Sequence, residues 1–151
     1  MAMHTFFEVR VRYEKVMETG TNKQVTEPYL IDALSFTEAE ARIIEEMKPF
    51  IPGEFKVKAV KQANYSELFF SNDMNADIWY KAKLAFVTLD EKSGAEKKTY
   101  TNILIQALDL RNAIKRLDEG MKGTMADYKI VSISETKIMD VYLLQTKNND
   151  E

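Results

Sequence analysis

One segment occurs twice in this chain and limits what the chain can fold into. Residues 31–47 and residues 105–121 align at an offset of 74 positions. Each copy reads as the end of a β-strand, a polar helix cap and an amphipathic helix. The identical pairs are Ile31/Ile105, Ala33/Ala107, Leu34/Leu108, Ala39/Ala113, Arg42/Arg116, Glu45/Glu119 and Met47/Met121. The alternative is chance similarity between two amphipathic segments, but the order, offsets and cap positions all agree.

The residues around each copy also correspond. Alternating apolar and polar residues predict a strand over residues 6–16, and residues 79–86 repeat this pattern at an offset of 73. A second strand over residues 25–34 corresponds to residues 101–108, and a polar turn joins each pair into a hairpin. Two further strands follow each helix, with expected ranges 54–62 and 65–70, then 128–131 and 138–144. The predicted unit is therefore β-β-α-β-β, present twice.

These patterns predict an α+β fold with pseudo-two-fold symmetry, in which two helices cover a mostly antiparallel sheet. We expect one compact domain over residues 1–151, with internal repeats at about 5–71 and 78–144. The phase of alternation slips at Ala59 and Val60, which predicts a β-bulge.

The repeat also predicts how the last strands pair. A short polar connector over residues 71–77 allows strand 65–70 to pair with strand 79–87. By the same symmetry, strand 138–144 is expected beside strand 6–13.

Three segments resemble a known family of unknown function, which is found in Bacteroides-group bacteria and their phages. They are residues 25–40, residues 89–94 and residues 120–128. The resemblance covers the chain from residue 3 to about residue 142. It implies a bacterial or phage source. No activity is established for that family, so the resemblance assigns no functional residues.

Composition excludes several classes of protein. The chain contains no cysteine, so disulfides, thiolate metal sites and cysteine nucleophiles are absent. With 21 basic and 24 acidic residues the net charge is −3, which does not fit a strongly basic polymer binder but allows a local basic surface. No apolar run approaches the roughly 20 residues of a membrane-spanning helix, and the start lacks a signal peptide pattern. We expect a cytoplasmic protein without membrane contact.

No pattern in the sequence indicates catalysis, a cofactor or a metal. His4 is the single histidine, near the start of the chain, and cannot supply a two-histidine metal site. Glu67 and Asp140 occupy equivalent positions inside apolar strands. If both were buried close together, one could act as a general acid; the alternative is that both point outward. We expect no catalytic, cofactor-binding or metal-binding residues.

Basic residues on the polar phase of the strands give the candidate binding site. Aromatic residues lie near them in the sequence, namely Tyr65, Phe70 and Trp79. A sheet face with cations and rings can bind single-stranded nucleic acid through phosphate contacts and base stacking. The alternative is ordinary exposed lysine, which also protects sheet edges from aggregation. The candidate residues are Arg10, Arg12, Lys56, Lys58, Lys81 and Lys83.

The sequence thus favours a non-enzymatic binding or accessory protein, with single-stranded nucleic acid as the candidate partner. The alternative is a protein–protein interaction or homodimerisation module, because a β-rich domain has sheet edges that can accept a partner strand.

Overall fold

A computed structural model describes residues 5–124 and 127–143. The fold is α+β, with two helices and eight strands in these ranges, and the sheets are mostly antiparallel, as predicted. His4 and the final residue of the expected strand 138–144 lie outside the described residues. The elements in chain order are β1 (Phe6–Val16), β2 (Asn22–Asp32), α1 (Phe36–Met47), β3 (Phe55–Ala63), β4 (Glu67–Phe69), β5 (Ile78–Leu89), β6 (Glu96–Ala107), α2 (Leu110–Gly120), β7 (Tyr128–Glu135) and β8 (Val141–Tyr142).

The chain divides into two compact units. Within the described ranges, the first unit comprises residues 5–63 and 138–143, and the second comprises residues 64–124 and 127–137. The first contains α1 and a sheet with strand order β3-β1-β2-β8. The second contains α2 and a sheet with strand order β4-β6-β5-β7. This arrangement is compatible with a duplicated unit, while the single compact domain stays a prediction.

In the first unit, α1 covers one face of the sheet. Alternation along β1 places Val9 and Val11 on this face, where neither side chain is exposed. Ile43 of α1 belongs to the same buried cluster. The helix begins where expected, because the Ser35 hydroxyl accepts a hydrogen bond from the backbone N–H of Glu38 at 3.1 Å.

The second unit repeats this construction with different residues. Leu84 of β5 and Leu117 of α2 are fully buried in one cluster. The cap is Asp109, whose carboxylate accepts a hydrogen bond from the backbone N–H of Asn112 at 2.8 Å. The Asn112 amide oxygen in turn accepts the backbone N–H of Leu108 at 2.9 Å. One N–H group that the first turn leaves unpaired is therefore satisfied by the cap, and the N–H of the residue before the cap is satisfied by Asn112.

The short strands β4 and β8 do not pair as the sequence predicted. The prediction placed strand 65–70 beside strand 79–87 and strand 138–144 beside strand 6–13. Instead β4 pairs with β6 and β8 pairs with β2, in both cases in parallel. The reason is that a strand has only two edges: β1 lies between β2 and β3, and β5 lies between β6 and β7. The last strand of each half therefore completes the sheet that contains the hairpin of the other half.

An arginine at the same position of each helix ties this last strand to its sheet. The Arg42 guanidinium donates to the carbonyl oxygen of Asp32, at the end of β2, and to that of Leu143, just after β8, the latter at 3.1 Å. Arg116 of α2 bridges the end of β6 and the residue after β4 in the same way. Its acceptors are the carbonyl oxygens of Gln106 (Nε to O, 3.0 Å) and Phe70.

The expected bulge is present. The register between β1 and β3 shifts so that Arg10 faces Ala59 and Val11 faces Val57, which leaves Lys58 as the extra residue. Between β5 and β7 the register shifts after Lys83. The two shifts lie 73 positions apart, which is the offset at which the first strand of each half repeats in the sequence.

Candidate nucleic-acid interface

Four of the six candidate cations share one surface of the first unit, which we call the first basic face. Arg10 and Arg12 alternate along β1 with Val9 and Val11, which are buried against α1, so both arginines point away from the helix. Lys56 lies directly opposite Arg12 across the strand pair. All four cations of this face are exposed; they are Arg10, Arg12, Lys56 and Lys58.

Two carboxylates partly compensate the charge of this face, because Glu8 and the exposed Glu14 lie on the same phase of β1 as Arg10 and Arg12. Arg10 Nε lies 3.7 Å from the Glu8 carboxylate, and the two side chains are 52% and 27% exposed. An ion pair this exposed contributes about 0–1 kcal/mol, so it leaves Arg10 available to another anion.

The other two candidate cations, Lys81 and Lys83, lie on the corresponding surface of the second unit, the second basic face. They alternate along β5 with Ala82 and Leu84, which are buried against α2. Register adds two lysines that the sequence reading left out of the site, because Lys98 faces Val87 and Lys129 faces Ala85. Among the described residues that face Lys81, Lys83, Ala85 and Val87 in the sheet, none is a carboxylate.

Tyr100 is the residue of this face that sequence reasoning missed. Its side chain is 55% exposed, and Lys83 Nζ lies 4.8 Å from the centroid of its ring, within the range of a cation–π contact. The predicted strand began at residue 101, whereas β6 begins at Glu96. Extending the alternation of Thr101 and Ile103 backward would have placed Tyr100 on the outward phase.

The aromatic residues that the sequence suggested for stacking do not form an open platform. Trp79 is only 2% exposed, so its ring has no free face for a base. Phe70 is 45% exposed and packs edge-on against it, with 5.4 Å between the ring centroids, so only part of the Phe70 ring is accessible. Tyr65 is partly buried and has contacts of its own.

The carboxylates considered for acid catalysis are exposed. Glu67 lies in β4 of the second unit and Asp140 lies just before β8 in the first, and both side chains reach solvent. The Asp140 carboxylate also accepts a local hydrogen bond from the backbone N–H of Val141 at 2.9 Å. The burial that the catalytic hypothesis requires is therefore missing, and the outward orientation is what the structure shows.

A polar cluster lies on the helix-facing side of the first sheet. The Tyr13 hydroxyl donates to the Glu27 carboxylate at 2.8 Å, and the Tyr29 hydroxyl lies 3.5 Å from the same oxygen. Burial, followed by the hydrogen bond and the charge of Glu27, raises the pKa of Tyr13 to about 12. Burial is also the largest cause that raises the pKa of Tyr29.

The described residues contain no group of three potential metal-binding side chains among histidine, cysteine, aspartate and glutamate. Neither helix of the described chain is long and apolar enough to span a membrane. These findings concern residues 5–124 and 127–143 only.

Comparison with known proteins connects the whole fold to one family. The family described as "Domain of unknown function (DUF4494)" matches residues 5–144. The chain belongs to this family. No curated protein matches the chain. The DUF4494 match includes residues of both units, and its description assigns no activity, so function has to be argued from the two basic faces.

Proposed function

We propose that the chain is a non-enzymatic accessory protein, cytoplasmic and of bacterial or phage origin, that binds single-stranded nucleic acid through its two basic faces. The observation that carries this proposal is that, in each unit, an exposed cation lies next to a second anion-binding or base-binding group on a neighbouring strand, either another cation or an aromatic ring. Arg12 faces Lys56 across β1 and β3, and Lys83 lies beside the exposed ring of Tyr100. Like charges placed directly opposite destabilise a sheet slightly, and a bound polyanion would relieve that repulsion.

The distribution of charge supports the same partner. The protein has a net charge of −3, yet in the first unit the acidic residues of α1 lie on the helix side of the sheet, whereas the four cations lie on the opposite side with Glu8 and Glu14. Exposed acidic residues of the helix include Glu40 and Glu45. Separation of this kind gives one surface a positive potential that attracts phosphates despite the acidic total.

A single strand fits these faces better than a duplex. In the part of the chain that the structure describes, the cations of each face lie on neighbouring strands of a sheet, and none of them lies on a helix that could enter a groove. An extended strand can lie along such a surface with its phosphates on the cations and its unpaired bases exposed to aromatic rings.

Fluorescence anisotropy with a labelled oligodeoxythymidine of about 16 nucleotides tests the proposal. The variant R10E/R12E/K81E/K83E should bind at least about tenfold more weakly than the wild type at low salt, because four phosphate contacts become repulsive. The matched control is K23E/K48E/K92E/K122E, which changes net charge equally at exposed residues away from both faces. Absence of wild-type binding at low salt, or an equal loss in both variants, would contradict the proposal.

One observation favours the second candidate, a protein–protein or homodimerisation module. β7 has one strand neighbour in the described sheet, β5, and its exposed residues include Ile130 and Val131, which are 39% and 50% exposed. The corresponding edge strand of the first unit, β3, carries the exposed lysines Lys56 and Lys58, which discourage strand pairing.

Light scattering tests this second candidate. If β7 pairs with a second copy of the chain, the wild type should form a dimer and Val131→Lys should return it to a monomer. A wild type that stays monomeric at high concentration would exclude homodimerisation through this edge.

A further inference from the structure

We propose that Tyr100 is the base-stacking residue of the second basic face. The second unit would then contact both bases and phosphates of a single strand, while the first unit contacts phosphates alone. This inference rests on the proposed function and adds the part of the ligand that each unit recognises.

The surroundings of Tyr100 leave its ring accessible. Tyr100 lies opposite Ala85 on β5, and alanine is too small to cover a neighbouring aromatic ring. The tyrosine is 55% exposed, and β4 pairs with β6 only at residues 103–105, so the described strand that lies beside Tyr100 is β5. An aromatic ring in this position offers apolar surface to solvent, and a nucleobase can cover that surface by stacking.

The neighbouring cation fits a nucleotide better than a protein side chain. Lys83 Nζ lies over one face of the Tyr100 ring, 4.8 Å from its centroid, so a base stacked on the opposite face would have a positive charge nearby. A nucleotide carries a phosphate close to its base, and the amine can bind that phosphate while the ring holds the base. Lys98 and Lys129 extend the same face along the strands on either side of β5.

The first basic face lacks this feature. Thr26 takes the position of Tyr100 at the repeat offset of 74, and it faces Arg12 across β1 and β2. Threonine has no ring, so the first face presents cations without a stacking surface at this position. Removal of the bases from the ligand is therefore expected to weaken its binding to the second unit and to leave its binding to the first unit unchanged.

Binding of two strands of equal length separates stacking from charge. One is oligodeoxythymidine and the other is an abasic strand with the same phosphates. Tyr100→Ala should weaken binding of oligodeoxythymidine by about fivefold or more and leave binding of the abasic strand unchanged. Tyr100→Phe keeps the ring and should bind both strands as the wild type does.

Tyr100→Trp supplies a direct readout of stacking. Its fluorescence should be quenched by oligodeoxythymidine and not by the abasic strand, while the natural Trp79 is 2% exposed and contributes a constant background. If Tyr100→Ala binds both strands as tightly as the wild type, the stacking role is wrong and the proposed function stands. If the wild type binds neither strand at low salt, both proposals are overturned.

Discussion

The two units share strand order and register, yet they differ on both sides of their sheets. On the side that faces away from the helix, the first unit presents two arginines on its central strand, one of them near Glu8. The second unit presents lysines around Tyr100 on that side. On the helix side, the first has the Tyr13–Glu27 hydrogen bond, whereas the second has two apolar residues and a threonine, and no carboxylate, at the corresponding positions. Those positions are Phe86, Thr101 and Ile103, against Tyr13, Glu27 and Tyr29.

This comparison separates the features that stabilise the fold from those that are expected to determine binding. What the units have in common supports the fold: a capped helix, a bulge at the same place, and an arginine that ties in the last strand. The differences on the basic faces lie on exposed surface, where changes cost little stability, whereas Tyr29 and Ile103 differ within the buried clusters. Binding specificity is therefore expected from the differences.

The largest expected effect comes from the core residues that the two units have in common. Ile43 and Leu117 occupy equivalent helix positions and both are fully buried. Substitution of either by alanine should lower the free energy of unfolding by about 2–5 kcal/mol, because it leaves a cavity under the helix. Chemical denaturation followed by circular dichroism measures this loss.

The same pair tests the expected single domain. Each sheet takes its last strand from the other half of the chain, so we expect Ile43→Ala and Leu117→Ala to shift one shared unfolding transition. Two separate transitions, each moved by only one of the variants, would show that the units unfold independently.

A smaller effect is expected at Gly120, the last residue of α2. A Cβ atom there would lie 2.5 Å from Cε2 of the Phe69 ring in β4, whereas the equivalent position of α1 is Glu46. Gly120→Ala should therefore destabilise the protein by about 1–3 kcal/mol, although alanine is the better helix former.

The control for this prediction is Gly53→Ala, where the new Cβ atom meets nothing within 4 Å. Its free energy of unfolding should stay within about 0.5 kcal/mol of the wild type. A Gly120→Ala protein as stable as this control would mean that Phe69 does not pack on the helix as described.

The arginine bridges test the corrected strand pairing. Arg42→Met and Arg116→Met should each cost about 1–3 kcal/mol, because backbone carbonyl oxygens lose charged donors. Arg42→Met should also accelerate hydrogen exchange at the Leu30 amide, which donates to the Asp140 carbonyl oxygen at 3.0 Å. Lysine at either position should not restore stability, because one ammonium group does not reproduce the planar fork that bridges two acceptors. Unchanged exchange at Leu30 would contradict the role of Arg42 in holding β8.

The polar cluster of the first unit predicts sensitivity to alkaline pH. The pKa of Tyr13 is raised to about 12, so the folded protein keeps a proton that the unfolded chain loses near pH 10. The stabilisation is thus complete below about pH 10 and is lost as the pH rises through about 12. Tyr13→Phe removes this titration.

Unfolding free energies at about pH 9 and about pH 11 measure the effect. The variant should be less stable by about 0.5–1.5 kcal/mol at the lower pH, because it lacks the hydrogen bond to Glu27. The difference from the wild type should shrink at the higher pH. A difference that grows with pH would contradict this description of the cluster.

Local rules were sufficient to predict the helices from sequence. Ser35 and Asp109 cap them, and an apolar stripe fixes the buried side of each, so the repeated segments 31–47 and 105–121 each contain a helix as predicted. These signals act within one turn of the chain. The bulge was equally local, because it changes the phase of alternation along a single strand.

The pairing of the last strands could not be predicted in the same way. β4 and β8 are three and two residues long, which is too short for a pattern that selects a neighbour. Their neighbours are decided by which sheet edge is still open, and this depends on contacts far apart in the sequence. Symmetry predicted that each half would supply a strand to the other half's sheet, but it did not identify the strand that receives it.

The candidate site was predicted in part. Alternation identified the cations of both faces, because exposed and buried residues of a strand differ by one position. It did not include Lys98 and Lys129 in the site, and register places both on the second face. Trp79 was wrong as a stacking residue, because an apolar residue on the polar phase can still be buried in the folded protein.

The salt dependence of binding to oligodeoxythymidine tests the central claim most directly. Six phosphate contacts predict a slope of about −4 for the logarithm of the association constant against the logarithm of salt concentration. Lys81→Met with Lys83→Met should make the slope shallower by about 1.4, as should Arg10→Met with Arg12→Met. A wild-type slope near zero, or a slope that neither double variant changes, would contradict binding of a nucleic acid by these faces.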